Sequence, residues 1–126
     1  MEGTKANDIQ HGGDHYKGAD YQHWDFVTDI RLSYLLAVAT KYISRWRKKG
    51  GLLDLQKAGH YIDKAIEVGA QSSSVNGRFL YFWRFAMANN ITLVDGAIIF
   101  LIMEGQLEEA KALLGPLLDE AQNAAS

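Results

Sequence analysis

Gly50 and Gly51 stand side by side between two stretches of helical hydrophobic periodicity, and nothing else in the chain restricts its fold as tightly. The first stretch runs from about Leu32 to Lys49, with Leu35, Leu36, Ala39, Tyr42, Ile43 and Trp46 at three- and four-residue spacing. The second, roughly Leu52 to Gly69, repeats the pattern through Leu55, Ala58, Ile62, Ala65 and Ile66. The glycine pair stops the first helix, and a link this short makes the two helices pack as an antiparallel hairpin.

The rest of the chain extends an all-α reading. Residues 1–22 hold Gly3, Gly12, Gly13 and Gly18 among polar residues and read as a glycine-rich arm or loop. From Trp24, the residues Val27, Ile30 and Arg31 begin a helical pattern. The run Gln71 to Gly77 reads as a flexible connection, followed by an aromatic helix (Phe79, Tyr81, Phe82, Trp83, Phe85) ending near Asn89-Asn90. Thr92 with Asp95 gives an N-terminal capping signal for a helix through Met103. Gly105 separates that helix from Leu107 to Leu114, where Gly115-Pro116 is expected to break or kink the chain. With no alternating strand pattern, the expected fold is a compact helical bundle of four to six helices around the central hairpin. A single helical domain over residues 23–126 follows the arm. Its helices over 77–126 carry more large aromatics than one helix can bury, which points to a subunit interface and a homo-oligomer.

At 126 residues, 48% of them hydrophobic and 22% charged, the chain can bury a core of its own. It has no cysteine, so neither a disulfide framework nor a thiolate metal site enters. The longest apolar run, Ala97 to Met103, is too short to span a bilayer, and the N-terminus lacks a signal-peptide core. A soluble, cytoplasmic protein without a membrane partner is expected.

A net charge of −2 argues against a nucleic-acid coat. Yet Lys41, Arg45, Arg47, Lys48 and Lys49 gather five of the thirteen basic residues within nine positions. Lys41, Arg45 and Lys48 or Lys49 are spaced to share a helix face, where Arg45 could grip a phosphate bidentately beside Lys41. Tyr42 and Trp46 lie next to them, to cover a base or to fill the core. Across the hairpin, Asp54, Lys57 and Tyr61 can align toward these cations. Asp54 there is either half of a structural ion pair, the commoner case, or a holder of Mg²⁺. The plain alternative for the whole stretch is a solvated positive face at a helix C-terminus.

Other motifs carry less. His11, Asp14, His15 and His23 meet no familiar metal spacing; His15, Tyr16 and Lys17 suit a loop closing over a ligand. Gly13 and Gly18 have P-loop spacing, but Ala19 and Asp20 follow where Lys and Ser or Thr belong.

The blocks His15-Tyr16-Lys17, Trp24-Asp25-Phe26, Lys41-Tyr42-Ile43-Ser44-Arg45, Arg47-Lys48-Lys49-Gly50-Gly51, Asp54-Leu55, Lys57-Ala58 and His60-Tyr61 occur in that order. In this the chain resembles a bacteriophage family catalogued as a domain of unknown function. Its members are often described as nucleotide kinases, after an early protein of short-tailed coliphages that phosphorylates deoxynucleoside monophosphates without a P-loop. The resemblance covers about residues 9 to 67.

It implies a nucleotide-binding core over residues 23–70, a phage source (hence host cytoplasm) and oligomerisation. The resemblance does not settle the reaction; the leading expectation is a nucleoside monophosphate kinase with Asp54, Lys41 and Arg45 as its catalytic group. Lys41, Arg45, Lys48, Lys49 and Lys57 would neutralise phosphates, and His15, Tyr16 and Lys17 would close the site. Trp24, Tyr42 or Tyr61 would pack on the base, and Asp54 or Asp25 would serve Mg²⁺. The chain departs from the family pattern in two places. Ala37 to Thr40 replaces a Gly-Asn before the Lys-Tyr pair, and Leu53 stands where an acid commonly precedes Asp-Leu. A nucleotide binder without catalysis, for example one sequestering a host signalling nucleotide, and a module that contacts host protein or nucleic acid are the alternatives.

Overall fold

The computed structural model describes residues 19–125. Six helices, and no strand, are found among them: α1 (His23–Asp29), α2 (Tyr34–Arg45), α3 (Gly51–Val68), α4 (Arg78–Ala88), α5 (Leu93–Met103) and α6 (Leu107–Ala125). The all-α bundle expected from the periodicity is what forms.

The hairpin of α2 and α3 is the most extensive helix pair. Leu36, Ala39 and Ile43 of α2 and Leu55, Ala58, Ile62 and Ala65 of α3 are all fully buried. Alanine at three of these positions lets the helix backbones approach closely. Helix α6 packs on the other side of α3, where a Cβ on Gly59 would stand 3.3 Å from Leu114. Helix α5 is apolar on nearly every side because it packs on both α2 and α6. Ile98, Ile99, Ile102 and Met103 have no solvent exposure, which makes it the central element of the bundle. Helix α1 lies on α4, with the Phe26 and Phe85 rings stacked at 4.8 Å.

Two helix ends differ from the sequence reading. Helix α2 stops at Arg45, not Lys49, and residues 46–50 form a turn. The Gly51 N–H donates to the Trp46 carbonyl (2.8 Å), closing the chain over the buried Trp46. Gly51 takes φ of +54°, a left-handed conformation that glycine adopts without steric cost. The turn is thus built by the glycine pair, and the cations after Arg45 do not continue the helix.

Helix α6, in turn, runs through Gly115-Pro116 without interruption. Proline removes a donor to the Ala112 carbonyl, but Ala112 and Pro116 lie on the exposed side, where water can take that bond. Leu114, Leu117 and Ala121 meanwhile continue the buried stripe begun by Leu107 and Ala110.

The connection Gln71 to Gly77, expected to be flexible, is fastened near its middle. The buried Ser73 donates its hydroxyl to the Ile30 carbonyl (2.7 Å) and its N–H to the Met103 carbonyl (3.0 Å). The expected cap on α5 forms, with Thr92 Oγ1 accepting from the Asp95 N–H at 3.2 Å.

Candidate functional site

Arg45 is the last residue of α2 and Arg47 lies in the turn beyond it, and the two reach different helices. From the last residue of α2, Arg45 forms a bidentate pair with Asp54 of α3, Nε to Oδ2 at 2.9 Å and Nη2 to Oδ1 at 3.3 Å. From the turn, Arg47 makes the same fork with Asp95 of α5, at 2.8 and 3.2 Å. Both carboxylates are buried. The Asp95 bond raises the pKa of Arg47 above its ordinary value. Lys48 reaches a third element, donating to the Asn89 carbonyl at the end of α4 (3.2 Å).

The basic run that read as one local positive site therefore divides, with Arg45, Arg47 and Lys48 reaching three different helices. Gly50 is part of this arrangement, since a Cβ there would overlap the Asp54 carboxylate. Arg47 also lies 4.3 Å above the Trp46 ring, and Trp46 itself is core.

Further along the hairpin the aromatic residues remain partly open. Tyr42 of α2 and Tyr61 of α3 are half-buried, with ring centroids 6.1 Å apart. Tyr34, which the spacing argument did not single out, extends this pair. Its exposed ring is 6.4 Å from Tyr61, and a hydrogen bond between the two hydroxyls raises the Tyr61 pKa. The signal for it was present, since Tyr34, Val38 and Tyr42 follow four-residue steps on α2. Two cations attend Tyr42: the Arg45 guanidinium at 5.0 Å from its centroid and the Lys57 ammonium at 5.5 Å. An open groove beside Tyr61 is lined by Leu35, His60, Asp63, Lys64 and Glu67.

Lys41 is exposed on α2, near enough to α1 for its charge to act on His23. There His23 Nε2 is 2.8 Å from Thr40 Oγ1. The Thr40 hydroxyl spends its one proton on the Ala37 carbonyl (2.8 Å), so the histidine is the donor to it. Burial, with the Lys41 charge adding to it, lowers the His23 pKa to about 4.

The remaining sequence candidates scatter. Trp24 is exposed on α1, and Asp25 accepts from the Gln22 N–H (2.9 Å), holding the start of that helix. Lys49 is exposed in the turn. His15, Tyr16 and Lys17 lie outside the described residues.

Among the described residues no group of three or more His, Asp or Glu side chains is placed to hold a metal ion. Mg²⁺ needs fewer protein ligands when phosphates supply the others. Asp54, however, has both oxygens on Arg45 and is almost fully buried, and Asp25 is engaged at its helix start. The carboxylates as they stand do not fit a Mg²⁺ site.

Residues 10–63, somewhat under half of the chain, match the family model described as a protein of unknown function (DUF3310). The matched span contains α1, α2 and most of α3, and with them the tyrosine pair and Lys57. Neither the curated proteins nor the solved structures contain a match to the chain. No helix among the described residues is long and apolar enough to cross a membrane.

Proposed function

We propose that the protein binds a nucleotide on the α2–α3 face, with the base on the tyrosine rings and the phosphates at the neighbouring cations. The observation that carries this reading is the pair of cations, Arg45 and Lys57, attending one half-buried tyrosine ring. An aromatic face suits any base, and cations at its edge suit phosphate. Lys41 and Lys57 are the mobile point charges in this scheme, whereas Arg45 is oriented by Asp54.

The family resemblance in the hairpin gives the proposal a finer form. In that form a phage-encoded kinase, without a P-loop, transfers phosphate to a deoxynucleoside monophosphate. Positioning and charge neutralisation are the main demands of that reaction, and the chain's cations can supply both.

A second reading, a binder that holds its nucleotide without transferring phosphate, is favoured by the engagement of Asp54. Incubating the purified protein with ATP, Mg²⁺ and each deoxynucleoside monophosphate separates the two. Formation of a diphosphate supports transfer, and saturable binding without any diphosphate leaves the binder. Absence of binding to every nucleotide at millimolar concentration removes both.

A further inference from the structure

Helix α4 is apolar on two faces, and among the described residues only one of them is buried against the rest of the chain. Its inner face puts Phe82 and Phe85 into the core. Its outer face carries Leu80, Trp83 and Met87 at steps of three and four, exposed by 76%, 57% and 74%. Phe79 widens this stripe, and Leu93, 90% exposed, and Val94 add apolar surface at the start of α5, the next helix in the chain. Single exposed apolar residues are ordinary on protein surfaces, but a contiguous stripe of this size marks an interaction site.

We propose that this face packs against the same face of a second copy of the chain. The first argument is area. The six side chains leave on the order of 700 Å² in water, close to the roughly 800 Å² each partner contributes to a stable interface.

The second is charge. From Phe79 to Val94 the sequence holds one charged residue, Arg84. Arg84 is exposed one helical turn from Leu80, with its guanidinium drawn aside to 4.3 Å above the ring of the buried Tyr21. Arg84 engages its own Tyr21 and Arg78 its own Glu104, so two copies meet across the apolar side chains with these cations already paired on their own subunits. A nucleic acid or an anionic membrane would find only Arg84 and the Glu104-paired Arg78 where several free cations are needed.

The third is rigidity. Arg78 forks onto Glu104 at 2.6 and 3.0 Å, and the Asn89 amide donates to the Tyr21 carbonyl (2.7 Å) and the Phe85 carbonyl (2.9 Å). Both ends of α4 are held on their own subunit, so little ordering is left for association to impose. A two-fold arrangement would set Trp83 of each copy among the Leu80 and Met87 side chains of the other. The nucleotide proposal concerns α2 and α3 and is independent of this one.

Sedimentation equilibrium of the full chain, between about 5 and 200 µM to span ordinary dimer affinities, tests the proposal. The expected mass is twice the 14.1 kDa of the chain. Trp83→Glu should return it to the monomer mass with its helical circular dichroism unchanged. Should that variant fail to fold, the double variant Leu80→Gln/Met87→Gln, at positions already in water, makes the same test. A wild-type monomer throughout the range overturns the proposal, whether it stays free or sediments with phosphatidylcholine–phosphatidylglycerol vesicles. Folded variants that remain dimeric overturn it as well, by moving the interface elsewhere.

Discussion

The two ends of the α2–α3 hairpin hold similar residues in opposite states. At the turn, Arg45, Arg47 and Lys48 each have an acceptor on a different helix, and two buried carboxylates are satisfied by the exchange. Along the body of the hairpin, Tyr34, Tyr42 and Tyr61 lie beside Lys57 with part of their ring surface in water. The first arrangement fastens α2 to α3, α4 and α5. The second has surface left over for a ligand. A run of basic residues is therefore not by itself a binding site, because buried acids elsewhere in the chain can claim the charges.

The comparison breaks most readily at Asp54. Its replacement by alanine leaves Arg45 only 22% exposed and without its carboxylate, which should cost about 3 kcal/mol in urea unfolding. Gly50→Ala should cost about 2 kcal/mol by displacing the same carboxylate. The two should fall well short of additivity when combined. Full additivity would mean that Gly50 and Asp54 act separately.

Acid sharpens the contrast through His23. An unfolded histidine takes its proton near pH 6.5, whereas the folded one resists it to about 4. Between those values the unfolded chain binds more protons, so stability falls as pH drops through this window, by on the order of 3 kcal/mol. His23→Gln should flatten that part of the pH–stability curve. An unchanged slope would assign the loss to other groups.

The smallest effect belongs to Lys48. Its bond to the Asn89 carbonyl is exposed and acts on one helix end, so Lys48→Ala should lower stability by only about 0.5 kcal/mol. A loss several times larger would make that lysine a principal part of the clamp.

Local patterns were legible in the sequence where local physics decides them. The apolar stripes of α2 and α3, the glycine pair between them and the Thr92–Asp95 cap could all be read there. The end of α2 could not, because Arg45 stays helical and Trp46 to Gly50 do not for reasons of turn closure and burial. Pro116 was misleading because a proline's cost depends on which side of the helix it occupies, and that side is set by packing on α3 and α5. Spacing placed Lys41 and Arg45 on one face correctly as geometry. It had no means of pairing Arg47 with Asp95, 48 residues away, or Arg78 with Glu104. Asp54 could be read as either an ion-pair partner or a metal ligand, and the fork to Arg45 is the commoner of the two.

The division between a fastening turn and a binding face is tested most directly by titrating one deoxynucleoside monophosphate into three proteins by calorimetry: wild type, Lys57→Ala and Lys48→Ala. The expected result is a loss of at least about tenfold in affinity for Lys57→Ala, near 1.4 kcal/mol, with its melting temperature unchanged. Lys48→Ala should bind as the wild type does. Equal losses in both variants, or a loss confined to Lys48→Ala, would contradict the division and return the phosphate site to the turn.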